Sequence, residues 1–188
     1  MVSAGIESAP RTENDLRWYC LRDLKRSNAK LKGYQQLAEE GFRVFTPLKE
    51  TVRILRGRKV KSLKPFISDL LFVHSTRESL DPAIRKIPTL QYRFVKGGQY
   101  LEALTVPDRQ MEDFIKAATL GNETRYLNPG EIKRDLIGKS VRVIGGPLDA
   151  VEGKVLSIRG KKNRRVLIEI QGLLSLTFEV TPDLLKLI

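Results

Sequence analysis

The residues able to do chemistry in this chain are few, and nearly all of them are cations. One cysteine, Cys20, and one histidine, His74, occur among 188 residues. A lone thiol closes no intramolecular disulfide, which predicts a reducing, cytoplasmic setting, and one Cys with one His is too few ligands for a structural zinc. No nucleophile pairs with His74. Gly145-Gly146-Pro147 is not a phosphate loop, because no Gly-Lys-Ser/Thr follows at the required spacing. Without converging carboxylates or a His/Cys constellation, no enzyme activity, cofactor or metal is expected. What remains is charge: 34 Lys and Arg against 22 Asp and Glu give a net +12, a surplus suited to neutralising phosphates.

That charge is clustered. Arg53, Arg56, Arg58, Lys59, Lys61 and Lys64 fall within twelve positions that contain no acid. Like charges so spaced repel unless a polyanion relieves them, so this run is the first candidate for nucleic-acid contact, with Lys25 and Arg26 beside it. Lys161, Lys162, Arg164 and Arg165 form a second cluster, expected at an exposed hairpin tip.

The elements that must carry these residues read as follows. Residues 1–15 are polar and poor in apolar side chains, and are expected to be disordered, with no signal peptide. Arg17 to Arg22 is a strand, Leu31, Tyr34, Leu37 and Ala38 share one face of a helix that stops at Gly41, and Phe42 to Pro47 is a strand. The alternation then continues as a long hairpin with its tip at Gly57. Leu70-Leu71-Phe72-Val73 is a central strand buried on both faces. Ser79 to Lys86 is a helix, Leu90 to Val95 a strand, and Pro107 opens a helix with Met111, Phe114 and Ile115 inward. Residues 119–135, rich in Gly, Asn and Pro, read as a linker.

From 136 to 188 the pattern is about five short strands, including Val141 to Ile144, Arg164 to Ile170 and Leu174 to Val180. So few residues bury a core only if the sheet curls and closes, which predicts a small β-barrel. Gly146, Pro147 and Gly153 shape the loop between its first two strands, by positive φ and by close strand approach. The fold class is therefore α+β: an α/β sandwich with an antiparallel sheet over residues 16–118, then a small SH3-like barrel.

The hydrophobic pair followed by Gly146-Pro147 and then Gly153-Lys154-Val155 resembles the KOW motif of the NusG family and of several ribosomal proteins. Trp18-Tyr19, Gly41, Phe45-Thr46-Pro47, the basic hairpin and Leu70-Leu71-Phe72-Val73 resemble the N-terminal domain of NusG-type elongation factors, in the same order relative to a KOW barrel. The strings NAKLKGYQQLAEEGFRVFTPLK, PFISDLLFVHSTRESLDP, TLQYRF and LTVPDRQMEDFI are similar to the UpxY branch, the antiterminators encoded with capsular polysaccharide loci in Bacteroides.

This resemblance implies a non-catalytic, monomeric factor that docks on RNA polymerase during elongation. A hydrophobic depression would receive the tips of the β′ clamp helices, with Leu70 and Phe72 in its wall and Phe45 and Pro47 nearby. The pattern departs at Leu70, where better-known paralogues carry tyrosine, and at Lys30, where general NusG usually has glutamate. The basic hairpin would meet non-template DNA, and nascent leader RNA or a second protein would engage the KOW barrel. The strand-rich C-terminal sequence, interrupted by glycines and Pro147, argues against the helical hairpin known in the RfaH branch. The barrel is then expected to swing on its linker without masking the polymerase site. The rival reading is a ribosome-associated or general RNA-binding KOW protein, for which barrel and charge suffice.

Overall fold

The computed structural model describes residues 16–24, 31–131, 137–156, 164–170 and 172–188. The expectations for residues 1–15, Lys25, Arg26, Lys30, Lys161 and Lys162 lie outside this set. Among the described residues the chain is sheet-rich, with three α-helices and three antiparallel sheets.

The first sheet orders β2 (Arg43–Phe45), β5 (Leu70–Ser75), β1 (Arg17–Asp23) and β6 (Leu90–Tyr92), with β7 (Thr105–Val106) also paired to β1. Register between β1 and β5 sets Cys20 opposite Phe72 and Leu21 opposite Leu71, so the two faces of the sheet are read directly from alternate residues. One face carries Tyr19, Leu21, Leu71 and Val73 and is covered by Leu37 of α1 (Gly33–Glu39) and Leu80 and Ala83 of α2 (Arg77–Lys86). Thr76 caps α2, its Oγ1 accepting the Ser79 N–H at 3.3 Å, and Arg85 and Lys86 sit in the last turn, where cations oppose the helix dipole. The other face carries Trp18, Cys20, Leu70 and Phe72, under Met111, Phe114 and Ala117 of α3 (Asp108–Leu120). The unbroken apolar run Leu70 to Val73 is buried throughout because both faces of its strand are covered. Burial pushes the Cys20 thiol up to about 12, so it stays protonated and unreactive at neutral pH.

The second sheet is a hairpin that stands alone. β3 (Leu48–Leu55) pairs only with β4 (Arg58–Pro65), and Arg56 and Gly57 turn between them with φ of 49° and 75°. Two positive φ values in a two-residue loop match the right-handed twist of the strands. Sequence placed this tip at Gly57.

The third sheet runs β13 (Leu185–Leu187), β9 (Ile137–Val143), β10 (Glu152–Leu156), β11 (Arg164–Ile170), β12 (Leu174–Val180) and β8 (Asn122–Leu127). Five of these strands were expected; β8 was not. The span 119–135 read as a linker holds the end of α3 and then β8, which pairs antiparallel with β12, Tyr126 opposite Leu176. Val166, Ile168 and Ile170 of β11 line the same core as Leu174, Leu176 and Phe178 of β12, as the period of two requires.

Gly146 lies in the β9–β10 loop, but Gly153, read from sequence as part of that loop, lies inside β10 opposite Val141, and the two act for different reasons. Gly146 has φ +69° with open space where a Cβ would stand, so only the backbone conformation demands it. At Gly153 a Cβ would lie 2.5 Å from the Leu167 carbonyl oxygen, so the neighbouring strand demands it. Gly146→Ala is expected to cost about 1 kcal/mol, the strain of a left-handed alanine. Gly153→Ala is expected to cost about 2 kcal/mol, because backbone must move. Urea unfolding of the two variants checks the order.

Candidate functional site

Two regions hold the candidate residues: the α3-facing side of the first sheet, and the free hairpin. On the sheet, Phe45 stands opposite Phe72 and so shares its face with Phe72 and Leu70. Thr46 Oγ1 donates to the Leu70 carbonyl at 2.8 Å, and the Phe66 N–H donates to the Pro47 carbonyl at 2.7 Å, which fixes the turn beside them. Phe72 and Leu70 are 0% and 3% exposed, Pro47 is buried and Phe45 is half-buried. Three of the four therefore lie inside the protein in this state, with Phe45 at its margin.

What covers them is the chain itself. The Phe114 ring meets Phe45 edge-on at 6.1 Å, and Tyr126 of β8 lies over both Phe66, at 5.5 Å, and Phe114, at 6.3 Å. Phe114 was expected to face inward from its helix, whereas Phe66 and Tyr126 were not singled out in the sequence. Burial pushes the Tyr126 hydroxyl upward, so it stays neutral. The polar side of α3 meanwhile grips the third sheet. Arg109 Nη2 is 2.7 Å from Glu152 Oε1, Gln110 Nε2 donates to the Glu169 carbonyl at 2.6 Å, and Lys116 Nζ donates to the Asp149 carbonyl at 2.6 Å. Asp113 accepts the Glu152 N–H at 3.3 Å, and burial at this junction raises its carboxyl above the usual range. An open cleft of about 750 Å³ remains between Arg109, Gln110 and Asp113 on one side and Gly153, Leu167 and Glu169 on the other. The expectation that the C-terminal unit leaves this face unmasked is thus corrected. Continuity of β8 with the sheet at one end and with α3 at the other holds the two units together.

Arg165 is a second correction. Sequence placed it at an exposed tip, but it is 5% exposed. Nη1 lies 2.9 Å from Glu179 Oε1, Nε donates to Thr177 Oγ1 at 3.2 Å, and Nη2 donates to the Glu123 carbonyl. It thereby ties β8 to β11 and β12.

On the hairpin, Arg53, Arg56, Arg58, Lys59 and Lys61 are all exposed and Lys64 is half-buried. Opposite partners share a face, so one face carries Glu50, Val52, Ile54, Lys59, Lys61 and Leu63, and the other Lys49, Arg53, Leu55, Arg58, Val60 and Lys64. Glu50 pairs with Lys61 at 2.8 Å and its hydrogen bond raises the Lys61 ammonium. Among the described residues the six cations therefore have one counter-ion, just outside the acid-free run. The other face has none: slight desolvation and then the charges of Arg53 and Lys32 push Lys64 down. Lys49, missed in the sequence, adds to this face and lies 5.2 Å over the Phe66 ring. His74 sits against the Trp18 ring at 5.0 Å and 3.6 Å from Asp108.

A family model, described as transcription termination factor nusG, matches residues 16–115, the whole of the first sheet, α1, α2, the first part of α3 and the hairpin. The chain belongs to the NusG family. A solved structure on domain interaction in Thermotoga maritima NusG is similar, with 17% identity and a TM-score of 0.46, over 92% of this chain and 97% of that one. No curated protein matches the chain. The family is one of transcription factors, and its members bind RNA polymerase.

If Arg165 is the tie between β8 and the rest of its sheet, Arg165→Ala should lower stability by about 3 kcal/mol, because the Glu123 carbonyl and the Thr177 hydroxyl lose their donor and half-buried Glu179 loses its guanidinium. Arg165→Met with Glu179→Leu should recover most of that loss. Chemical denaturation of both variants checks this, and an equal loss in the double variant would contradict it.

Proposed function

We propose that this protein is a specialised NusG paralogue of the UpxY type, which binds RNA polymerase during elongation and promotes antitermination of a capsular polysaccharide operon. The observation that carries the reading is the apolar face of Phe45, Pro47, Leu70 and Phe72 within the region matched by the family. A general RNA-binding protein has no need of such a dock. The β′ clamp helices take this face, residues 16–118 form the polymerase-binding domain, and residues 136–188 form an SH3-like KOW barrel that engages a second partner, nascent leader RNA or a protein. The protein acts as a cytoplasmic monomer. Arg53, Arg56, Arg58, Lys59, Lys61 and Lys64, with Lys25 and Arg26, follow the single-stranded non-template DNA, where phosphate neutralisation gives affinity without sequence readout.

Because Tyr126 lies over Phe66 and Phe114, the clamp helices reach the dock only after β8 and its sheet move off. Binding is therefore weakened by the fraction of molecules still closed. The test compares wild-type protein and Tyr126→Asp for binding to purified RNA polymerase and to an isolated clamp-helix fragment. A carboxylate at this position disfavours the closed contact without touching the first sheet. Affinity for the fragment should rise about tenfold, equivalent to about 1.4 kcal/mol. Failure of both proteins to bind polymerase would overturn the reading, while equal binding would overturn the masking.

A further inference from the structure

We propose that the tip of the β3–β4 hairpin is a strand-separating wedge: Ile54 and Leu55 insert where a DNA duplex opens into single strands, while the surrounding cations hold the phosphates. The proposal rests on the reading of this hairpin as the DNA-facing element and deepens it.

The hairpin exposes aliphatic side chains to a degree that charge-protected edge strands do not require. Val52, Ile54, Leu55 and Leu63 are 55%, 76%, 65% and 65% exposed. Among the described residues neither strand pairs with the body of the protein, so no described sheet neighbour covers them. Lysines alone would suffice to keep a free ribbon from pairing with other chains. The two most exposed positions on β3, Ile54 and Leu55, are placed at its end. Ile54 pairs with Lys59 on one face, Leu55 pairs with Arg58 on the other, and Arg56 and Gly57 close the turn. The tip thus presents a large apolar side chain on each face, framed by Arg56, Arg58 and Lys59.

Charge selects the occupant. Glu50 is the only acid on the two strands, it is already paired with Lys61, and the face bearing Leu55 has none. An apolar tip inside so cationic a frame fits a partner with apolar flat surfaces edged by negative charge, which describes bases and their phosphates. β-Ribbons do enter DNA grooves, and aliphatic wedges do unstack base steps. A ribbon with side chains on both faces is about 10 Å thick, by the spacing of packed sheets. That is too thick for one base step in a closed duplex. It suits the gap between two diverging strands, where one face meets the last base pair and the other meets the first unpaired base. Two strands of eight residues give a reach of about 25 Å at about 3.3 Å per residue, enough to set the tip away from the body.

The experiment uses the full chain and a forked DNA with 2-aminopurine in the last base pair before the fork. Wild-type protein should raise its fluorescence about twofold as the base unstacks. Ile54→Thr with Leu55→Thr keeps strand propensity, and should abolish the rise while leaving the slope of log affinity against log salt unchanged. Replacing Arg56, Arg58, Lys59 and Lys61 by Gln should reduce that slope by about 3, at about 0.7 per single-strand phosphate contact. Circular dichroism verifies that each variant is folded. Normal binding by the wild type with no fluorescence change, or a rise that survives in the threonine variant, overturns the wedge and leaves the DNA-facing reading intact. An unchanged salt slope in the glutamine variant overturns both. Loss of polymerase binding by the threonine variant in the absence of DNA would mark the tip as a protein-docking surface and likewise overturn the wedge.

Discussion

Everything in this molecule depends on α3 serving two sheets at once. Met111, Phe114 and Ala117 are fully buried on the side of Trp18, Cys20, Leu70 and Phe72, and the same hydrophobic core continues into Val141, Val166, Ile168, Leu176 and Phe178. The opposite, polar side of the helix supplies Arg109, Gln110, Asp113 and Lys116 to the second of those sheets. A 13-residue helix with one apolar stripe would ordinarily leave its polar side to water. Here those long side chains reach a strand carbonyl, a turn carbonyl and a carboxylate instead. The contact therefore joins a continuous apolar core to a polar rim of Arg109, Gln110, Asp113 and Lys116, the anatomy of a protein–protein interface.

Charge divides the surface in the same way. The hairpin concentrates cations with a single acid between its strands, whereas the contact between α3 and the third sheet balances them: Glu152 lies between Arg109 and Arg142. Exposed pairs of this kind contribute little to stability, typically below about 1 kcal/mol. Their value here is to orient one sheet against the helix at small energetic cost, so that the apolar contact of α3 and Tyr126 with the shared core decides whether the units stay together. The hairpin shares in none of this, and its uncompensated charge is available to a polyanion.

The legible parts of the sequence were those with a short-range physical cause. Leu70 to Val73 announced a doubly covered strand, Gly57 a tight turn, Gly146 a left-handed backbone and Gly153 a close strand contact. What escaped were features decided by distant partners. Asn122 to Leu127 looked like linker because Gly121, Asn128, Pro129 and Gly130 bracket it, and its half-buried Thr124 and Tyr126 are too few to signal a strand. It becomes a strand because the edge of β12 is free to pair with it. Arg165 read as a surface cation because nothing local reveals Glu179 across the pair of strands. The apolar character of the candidate dock was evident from Leu70 and Phe72, but its cover was not, since Tyr126 arrives from more than fifty positions along the chain.

Hydrogen exchange measured across the whole chain, free and bound to RNA polymerase, tests this account most directly. In the free protein the amides of β8 should be protected together with those of β12, since they share a ladder. On binding polymerase, the Glu152 amide, which donates to Asp113 of α3, should lose protection while β8, β12, α3 and β5 keep theirs, because the sheet departs with its own ladders intact and the clamp helices take its place. Fast exchange of β8 in the free protein, or unchanged protection of Glu152 in the complex, would contradict the claim that this protein covers its own docking face.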